Sequence, residues 1–223
     1  MDSSPPGSPG SHSINSSNLG AKQYFLVNLS KFIVEMLGTA TLGLFYMLIG
    51  DQQTGMLLGV WVLSLFGETI SGAHYNPAVT LVFMLRKNSP KSFGKNRLKG
   101  IIYMVAQIFG GLIAGFLSVI FLSGDNHKKA VQPLGTPNEP RSFEATISEV
   151  VASFVFIFLF MLSTDKKTQY SEDRVINCFI IASSYVAARL MGGGKLATCL
   201  YTGRSDELYI YVGPLMNPAL ALG

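Results

Sequence analysis

Charge is scarce in this chain. Acidic and basic side chains make up only 13% of its 223 residues, about half the share usual in a soluble domain. They gather between long apolar runs rather than along them. A soluble domain spreads charge over the outer faces of its helices; whole segments here have no polar face, so lipid is the solvent that suits them. Cysteine is equally sparse. Cys178 and Cys199 fall in or beside one apolar stretch, and weakly polar packing residues are the simpler reading than a disulfide or metal pair. No metal-ligand cluster, nucleophile motif or phosphate-binding glycine loop is visible, so neither an enzyme nor a cofactor is implied. The net charge of +4 and pI near 9.0 would suit a nucleic-acid partner, but the basic residues flank apolar segments, which is a membrane-topology pattern instead.

What the chain has is apolar residues, 48% of the total, arranged in five runs. We place these predicted spans at about Leu29–Ile49, Gly55–Ile70, Ile101–Leu122, Phe143–Ser163 and Val175–Tyr201. A helix needs roughly 20 residues to cross the hydrocarbon core; the third and fourth meet this cleanly and the second is marginal. A shorter apolar piece, Pro77–Leu85, has about half the length and opens on Asn-Pro. Proline suits the first turn of a helix, so this piece reads as a re-entrant half-helix. Ahead of the spans, residues 1–28 are expected to form a disordered cytoplasmic tail. Its first part, MDSSPPGSPGSHSINSSNLG, is rich in Ser, Pro, Gly and Asn and predicts disorder rather than a secretory leader.

Orientation follows from Lys and Arg. Eleven lie on one side of the predicted spans, six of them between Arg86 and Lys99, and four on the other. The excess places the N-terminus in the cytoplasm of a multi-pass membrane protein. The alternation also requires Pro77–Leu85 to enter and leave on one side.

A weak internal repeat supports the plan. Glu35 stands early in the first span and Glu149 early in the fourth, and each precedes at a distance an Asn-Pro-Ala loop: Asn76-Pro77-Ala78 and Asn217-Pro218-Ala219. With an odd number of spans per half, the halves insert with opposite topology. One Asn-Pro-Ala is a weak signal. Two in an inverted repeat are specific, the first within Ile-Ser-Gly-Ala-His-Tyr-Asn-Pro-Ala-Val-Thr-Leu. Residues Ala106-Gln107-Ile108-Phe109-Gly110-Gly111, Gly115 and Tyr201-Thr202-Gly203 extend the match. In these motifs residues 29–223 resemble the major intrinsic protein family, the aquaporins and aquaglyceroporins.

The resemblance implies an all-α membrane fold built as an inverted repeat, a homotetramer in a lipid bilayer, and passage of water and small neutral solutes. Five transmembrane helices, one complete half-helix and the start of a second are present. The physics of the motif agrees with that use. Two half-helices meeting at their N-termini aim both positive dipole ends at one point, where Asn76 and Asn217 offer amide N–H groups to a passing oxygen. Ser71-Gly72-Ala73-His74 supplies a ladder of backbone carbonyls, tolerable at this depth only along a wet cavity. Glu35, Gln107 and Glu149 are implied to brace the loops, since carboxylates in apolar helices are costly without partners. Gly111 and Gly115 form a Gly-x-x-x-Gly that permits close helix approach.

The chain departs from the family at its outer constriction. Leu220 stands where an arginine is usual, Met56 where an aromatic is usual, and Lys195 where water channels carry histidine. These three and Pro214 are the candidate selectivity filter. Lys195 either restores the missing charge or snorkels to the headgroups; Arg189 has the same ambiguity and takes no role. The first hairpin is short, residues 204–212 form an insertion, and the chain stops at Gly223, where the second half-helix has barely begun. A partial sequence of an ordinary channel is the favoured explanation, a truncated product the other. The readings kept open are a water channel, a broader glycerol, urea, ammonia or peroxide pore, and a non-conducting homologue that assembles with intact subunits.

Overall fold

A computed structural model describes residues 20–49, 52–86, 97–122, 135–136, 139–140, 142–192 and 215–222. In chain order the elements are α1 (Ala21–Ile49), α2 (Gln53–Glu68), α3 (Pro77–Leu85), α4 (Arg97–Phe121), the two-residue strands β1 (Gly135–Thr136) and β2 (Glu139–Pro140), α5 (Ser142–Thr164), α6 (Arg174–Met191) and α7 (Pro218–Leu222). The strands pair antiparallel within the connection from α4 to α5.

Four of these helices are long and apolar enough to cross a membrane: Gln23–Ile49, Arg97–Phe121, Thr146–Thr164 and Arg174–Met191. The sequence predicts five. The difference is α2, whose 16 residues rise only about 24 Å against a hydrocarbon core of about 30 Å. It ends where Thr69 to Ser71 turn and the chain enters the first loop. A second correction concerns the tail. Helix α1 starts at Ala21, just after Gly20, so residues 21–28 are helical rather than disordered, while residues 1–19 lie outside the described set. Helix α6 is described to Met191; the rest of the fifth predicted span, with Lys195, Cys199, Pro214 and the 204–212 insertion, lies outside it.

Polarity is arranged inside out. Large apolar side chains such as Phe66, Phe116, Phe154 and Leu85 are exposed, whereas Glu35, Thr39, His74, Asn76, Gln107, Arg189 and Asn217 are buried. Apolar surfaces facing outward around a polar interior suit a bundle solvated by lipid. Helix α1 packs along α4 and on α2, while α6 packs on α2 and α5. The half-helices α3 and α7 both lie on α4 and touch each other. Glycines set these approaches. A Cβ on Gly110 would run into the Met36 carbonyl of α1, and one on Gly111 into the Ala219 carbonyl of α7. Gly38 and Gly67 leave room for the ring and hydroxyl of Tyr75.

Candidate functional site

Two loops, built alike, meet inside the bundle. In each, the residue before the asparagine takes a left-handed backbone, Tyr75 at φ 47° and Met216 at φ 51°, a conformation that ordinary side chains rarely adopt. In each, the asparagine then caps the half-helix that follows. Asn76 Oδ1 accepts from Ala78 N at 2.9 Å, and Asn217 Oδ1 accepts from Ala219 N at 3.1 Å. Pro77 and Pro218 occupy the first helical position, where a missing N–H wastes nothing.

The second amide atom of each asparagine reaches across. Asn76 Nδ2 donates to the Met216 carbonyl at 2.7 Å, and Asn217 Nδ2 donates to the Tyr75 carbonyl at 2.8 Å. Each asparagine therefore clasps the left-handed residue of the opposite loop. The clasp fixes the two half-helix N-termini against each other, and each Nδ2 keeps a second hydrogen for another acceptor.

The backbone bend in each loop is held by a carboxylate. Glu35 of α1 accepts from Ser71 Oγ (2.6 Å) and His74 N (3.1 Å) on Oε1, and from Tyr75 N (2.8 Å) and Gln107 Nε2 (2.7 Å) on Oε2. Glu149 of α5 accepts from Leu215 N at 2.7 Å and Met216 N at 2.9 Å. A charge-assisted bond to each N–H offsets the burial of a carboxylate in an apolar bundle.

Residues the sequence did not single out complete the first loop. Thr80, one turn into α3, donates to Gln107 Oε1 (3.2 Å), accepts from Gln107 Nε2 (2.9 Å) and lies 3.1 Å from His74 Nδ1. Tyr103 Oη donates to the Ser71 carbonyl at 3.1 Å, so one rung of the expected carbonyl ladder is already engaged. The Gly72 and Ala73 carbonyls take no hydrogen bond among the described residues. The position of Thr80, four residues after Asn76 on α3, was a usable signal; Tyr103 looks like any aromatic in a span. Left-handed Tyr75 and Met216 share a position in the repeat but no side-chain chemistry that would announce it.

The candidate filter residues are placed as follows. Met56 has no exposed surface and sits in the apolar cluster with Leu42, Val60 and Tyr185. Leu220 is buried in the same cluster, against Gly43 of α1. Lys195 and Pro214 are outside the described residues. Cys178 is buried and free, and no group of three or more metal-binding side chains occurs among the described residues. On the face toward which α3 runs, Arg86 at its C-cap pairs with Asp165 after α5, tying the two halves together. Glu68 and Arg174 stand 3.9 Å apart, both exposed, a pair of little energetic weight.

The family profile described as Major intrinsic protein matches residues 53–223. Among similar proteins, Aquaporin TIP2-3 of Arabidopsis thaliana is 29% identical over 162 residues, covering 68% of this chain and 61% of that protein. Aquaporin NIP2-1 of Zea mays is 27% identical over 181 residues (76% of this chain, 56% of that protein). Aquaporin PIP1-5 of Zea mays is 26% identical over 197 residues (78% and 64%). The chain spans about three fifths of the length of the curated relatives it matches. With the paired loops, the apolar exterior and this match over most of its length, the chain belongs to the major intrinsic protein family.

Proposed function

We propose that the protein forms a passive channel through which water and other small neutral solutes cross a membrane. The observation that carries this reading is the reciprocal clasp, Asn76 to Met216 and Asn217 to Tyr75. It sets two amide donors and two half-helix N-termini at one buried point, where a neutral molecule exchanges hydrogen bonds with water for bonds to the protein, while a cation meets positive potential. The carbonyls of Gly72 and Ala73 supply acceptors on the approach. Relatives named aquaporins support the same solute class. Homotetrameric assembly and a cytoplasmic N-terminus belong to this proposal, the latter from the Lys and Arg distribution.

A broader pore for glycerol, urea, ammonia or peroxide is the second reading. Leu220 and Met56 favour it, because they stand where the family resemblance expects an arginine and an aromatic and supply neither. The test is reconstitution of the full chain, alone and with a further span appended, into vesicles. Shrinkage after osmotic shock faster than in empty vesicles supports the channel, and glycerol and urea uptake separates the two pores. Correctly inserted protein that leaves both rates at the empty-vesicle level would remove the channel reading and leave the non-conducting homologue.

A further inference from the structure

Packing of α1 along α4 brings two lysines together at the end of the bundle where both helices begin. Lys31 of α1 and Lys99 of α4 are each half-buried, and the positive charge of Lys99 acts on Lys31. The Lys99 ammonium also stands 5.5 Å from the centre of the Tyr24 ring, a cation–π contact that steadies its long side chain. Both lysines belong to helices long and apolar enough to cross a membrane, near the ends, where an ammonium group meets the lipid headgroups.

Like charges so placed repel each other, and among the described residues neither lysine has an ion pair to offset this. The ion pairs there are Arg86 with Asp165 and Arg174 with Glu68. Glu35, one turn beyond Lys31 on α1, is taken up by its four donors around the first loop. The stretch leading into α4 adds charge of the same sign: residues 86–99 hold six Lys and Arg and no Asp or Glu. Apolar side chains are exposed on both helices near the pair, Phe25 and Leu29 on α1 and Leu98 and Ile102 on α4. Two cations in a seam between helices, with apolar surface beside them, suit a phosphate that carries hydrocarbon.

We propose that Lys31 and Lys99 bind the phosphate of an anionic phospholipid in the seam between α1 and α4, its acyl chains lying along the apolar surface beside them. The phosphate sets negative charge between two ammonium groups and relieves their repulsion through charge-assisted hydrogen bonds, while Tyr24 holds Lys99 within reach. The site lies one turn from Glu35 on α1 and one turn from Tyr103 on α4, and both of these hold Ser71. The lipid therefore braces the two helices that support the first loop. Lipid binding needs no transport, so the site stands or falls apart from the channel.

The probe is phosphatidylglycerol with a fluorophore on one acyl chain, titrated by anisotropy with the full chain in a neutral detergent. Saturable binding is expected, displaced by unlabelled phosphatidylglycerol but not by phosphatidylcholine or inorganic phosphate at the same concentration. Displacement by phosphatidylcholine would mean that charge is not read, and displacement by inorganic phosphate would mean a free-anion site; either overturns the proposal. Lys31→Gln and Lys99→Gln are each expected to weaken binding about fivefold, the effect of one basic residue at an anionic surface. Lys31→Arg/Lys99→Arg keeps both charges and should stay within about twofold of the wild type. Lys166→Gln/Lys167→Gln removes two exposed charges after α5 and should leave binding unchanged. A loss there equal to that of Lys31→Gln/Lys99→Gln would show diffuse attraction and no site, and glutamine variants that bind as the wild type does would overturn the assignment outright. If the glutamine variants do not fold, Tyr24→Leu at its exposed position decides: affinity about twofold weaker supports the site, and wild-type affinity overturns it.

Discussion

The two loops share a plan and differ in how much holds each one. Both present a left-handed residue, an asparagine cap, a proline and a carboxylate behind the bend. The first loop is embedded in a network: Glu35 accepts from four donors, and Gln107, Thr80 and His74 continue the chain of contacts into α3. The second, among the described residues, hangs on Glu149 through two backbone N–H groups. The half-helices also rest differently on α4. At Gly100 the neighbour is the flexible side chain of Met84, but at Gly111 it is the backbone carbonyl of Ala219. One loop is secured by side-chain bonds and cushioned by a methionine; the other by close backbone packing. A repeat can thus preserve the geometry at its centre while changing the means that support it.

The largest test of that contrast is removal of the carboxylates. Glu35→Ala leaves two buried backbone N–H groups, the Ser71 hydroxyl and the Gln107 amide without their acceptor, and is expected to cost about 4 kcal/mol or more. Glu149→Ala strands two N–H groups and is expected to cost about half as much, ~2 kcal/mol. Thermal unfolding in detergent reads the difference; equal losses would mean that the networks are equivalent after all.

Next comes the clasp. Asn76→Ala and Asn217→Ala each remove a cap and a cross-loop bond, with an expected loss of about 2 kcal/mol each. Because both bonds close one joint, the double variant should lose less than the sum, by about 1 kcal/mol. Strict additivity in a double-mutant cycle would argue that the loops do not hold each other.

The seating on α4 gives a smaller and asymmetric effect. Gly111→Ala drives a methyl against the Ala219 backbone and should cost about 2 kcal/mol. Gly100→Ala meets only Met84, which can turn aside, and should cost less than about 1 kcal/mol. Smallest of all is Ala73→Gly. Ala73 sits at φ 49°, so glycine relieves left-handed strain but loosens the unfolded chain, and the net change should stay under about 1 kcal/mol in either direction.

Much of this arrangement is legible in the sequence because polar residues stand out against apolar runs. Glu35, Gln107 and Glu149 are conspicuous in their spans, and Asn-Pro announces a helix start at residues 76 and 217. The half-helix at Pro77–Leu85 has the same bounds in the structure. Other features are set by three-dimensional context. Tyr75 is left-handed because Glu35 and the opposite asparagine fix its N–H and carbonyl, and nothing in a tyrosine signals that. Tyr103 engages Ser71 through a phenol that could as easily face lipid. Arg189 is visible as a charge in an apolar stretch, yet only the fold reveals Tyr46 beneath it. Helix boundaries proved less readable: α1 reaches back to Ala21 because residues 21–28 contain no glycine or proline to stop it, and α2 stops short of a full span.

The most direct test of the central claim is the osmotic shrinkage rate of vesicles holding the wild-type chain, compared with the paired variant Asn76→Leu/Asn217→Leu at equal membrane content. Leucine keeps the branched side-chain skeleton of asparagine but removes both caps and both cross-loop donors. The account predicts fast shrinkage for the wild type and a rate near that of empty vesicles for the variant. A variant that inserts and shrinks its vesicles as fast as the wild type would contradict the claim that solutes pass the point where the two asparagines meet.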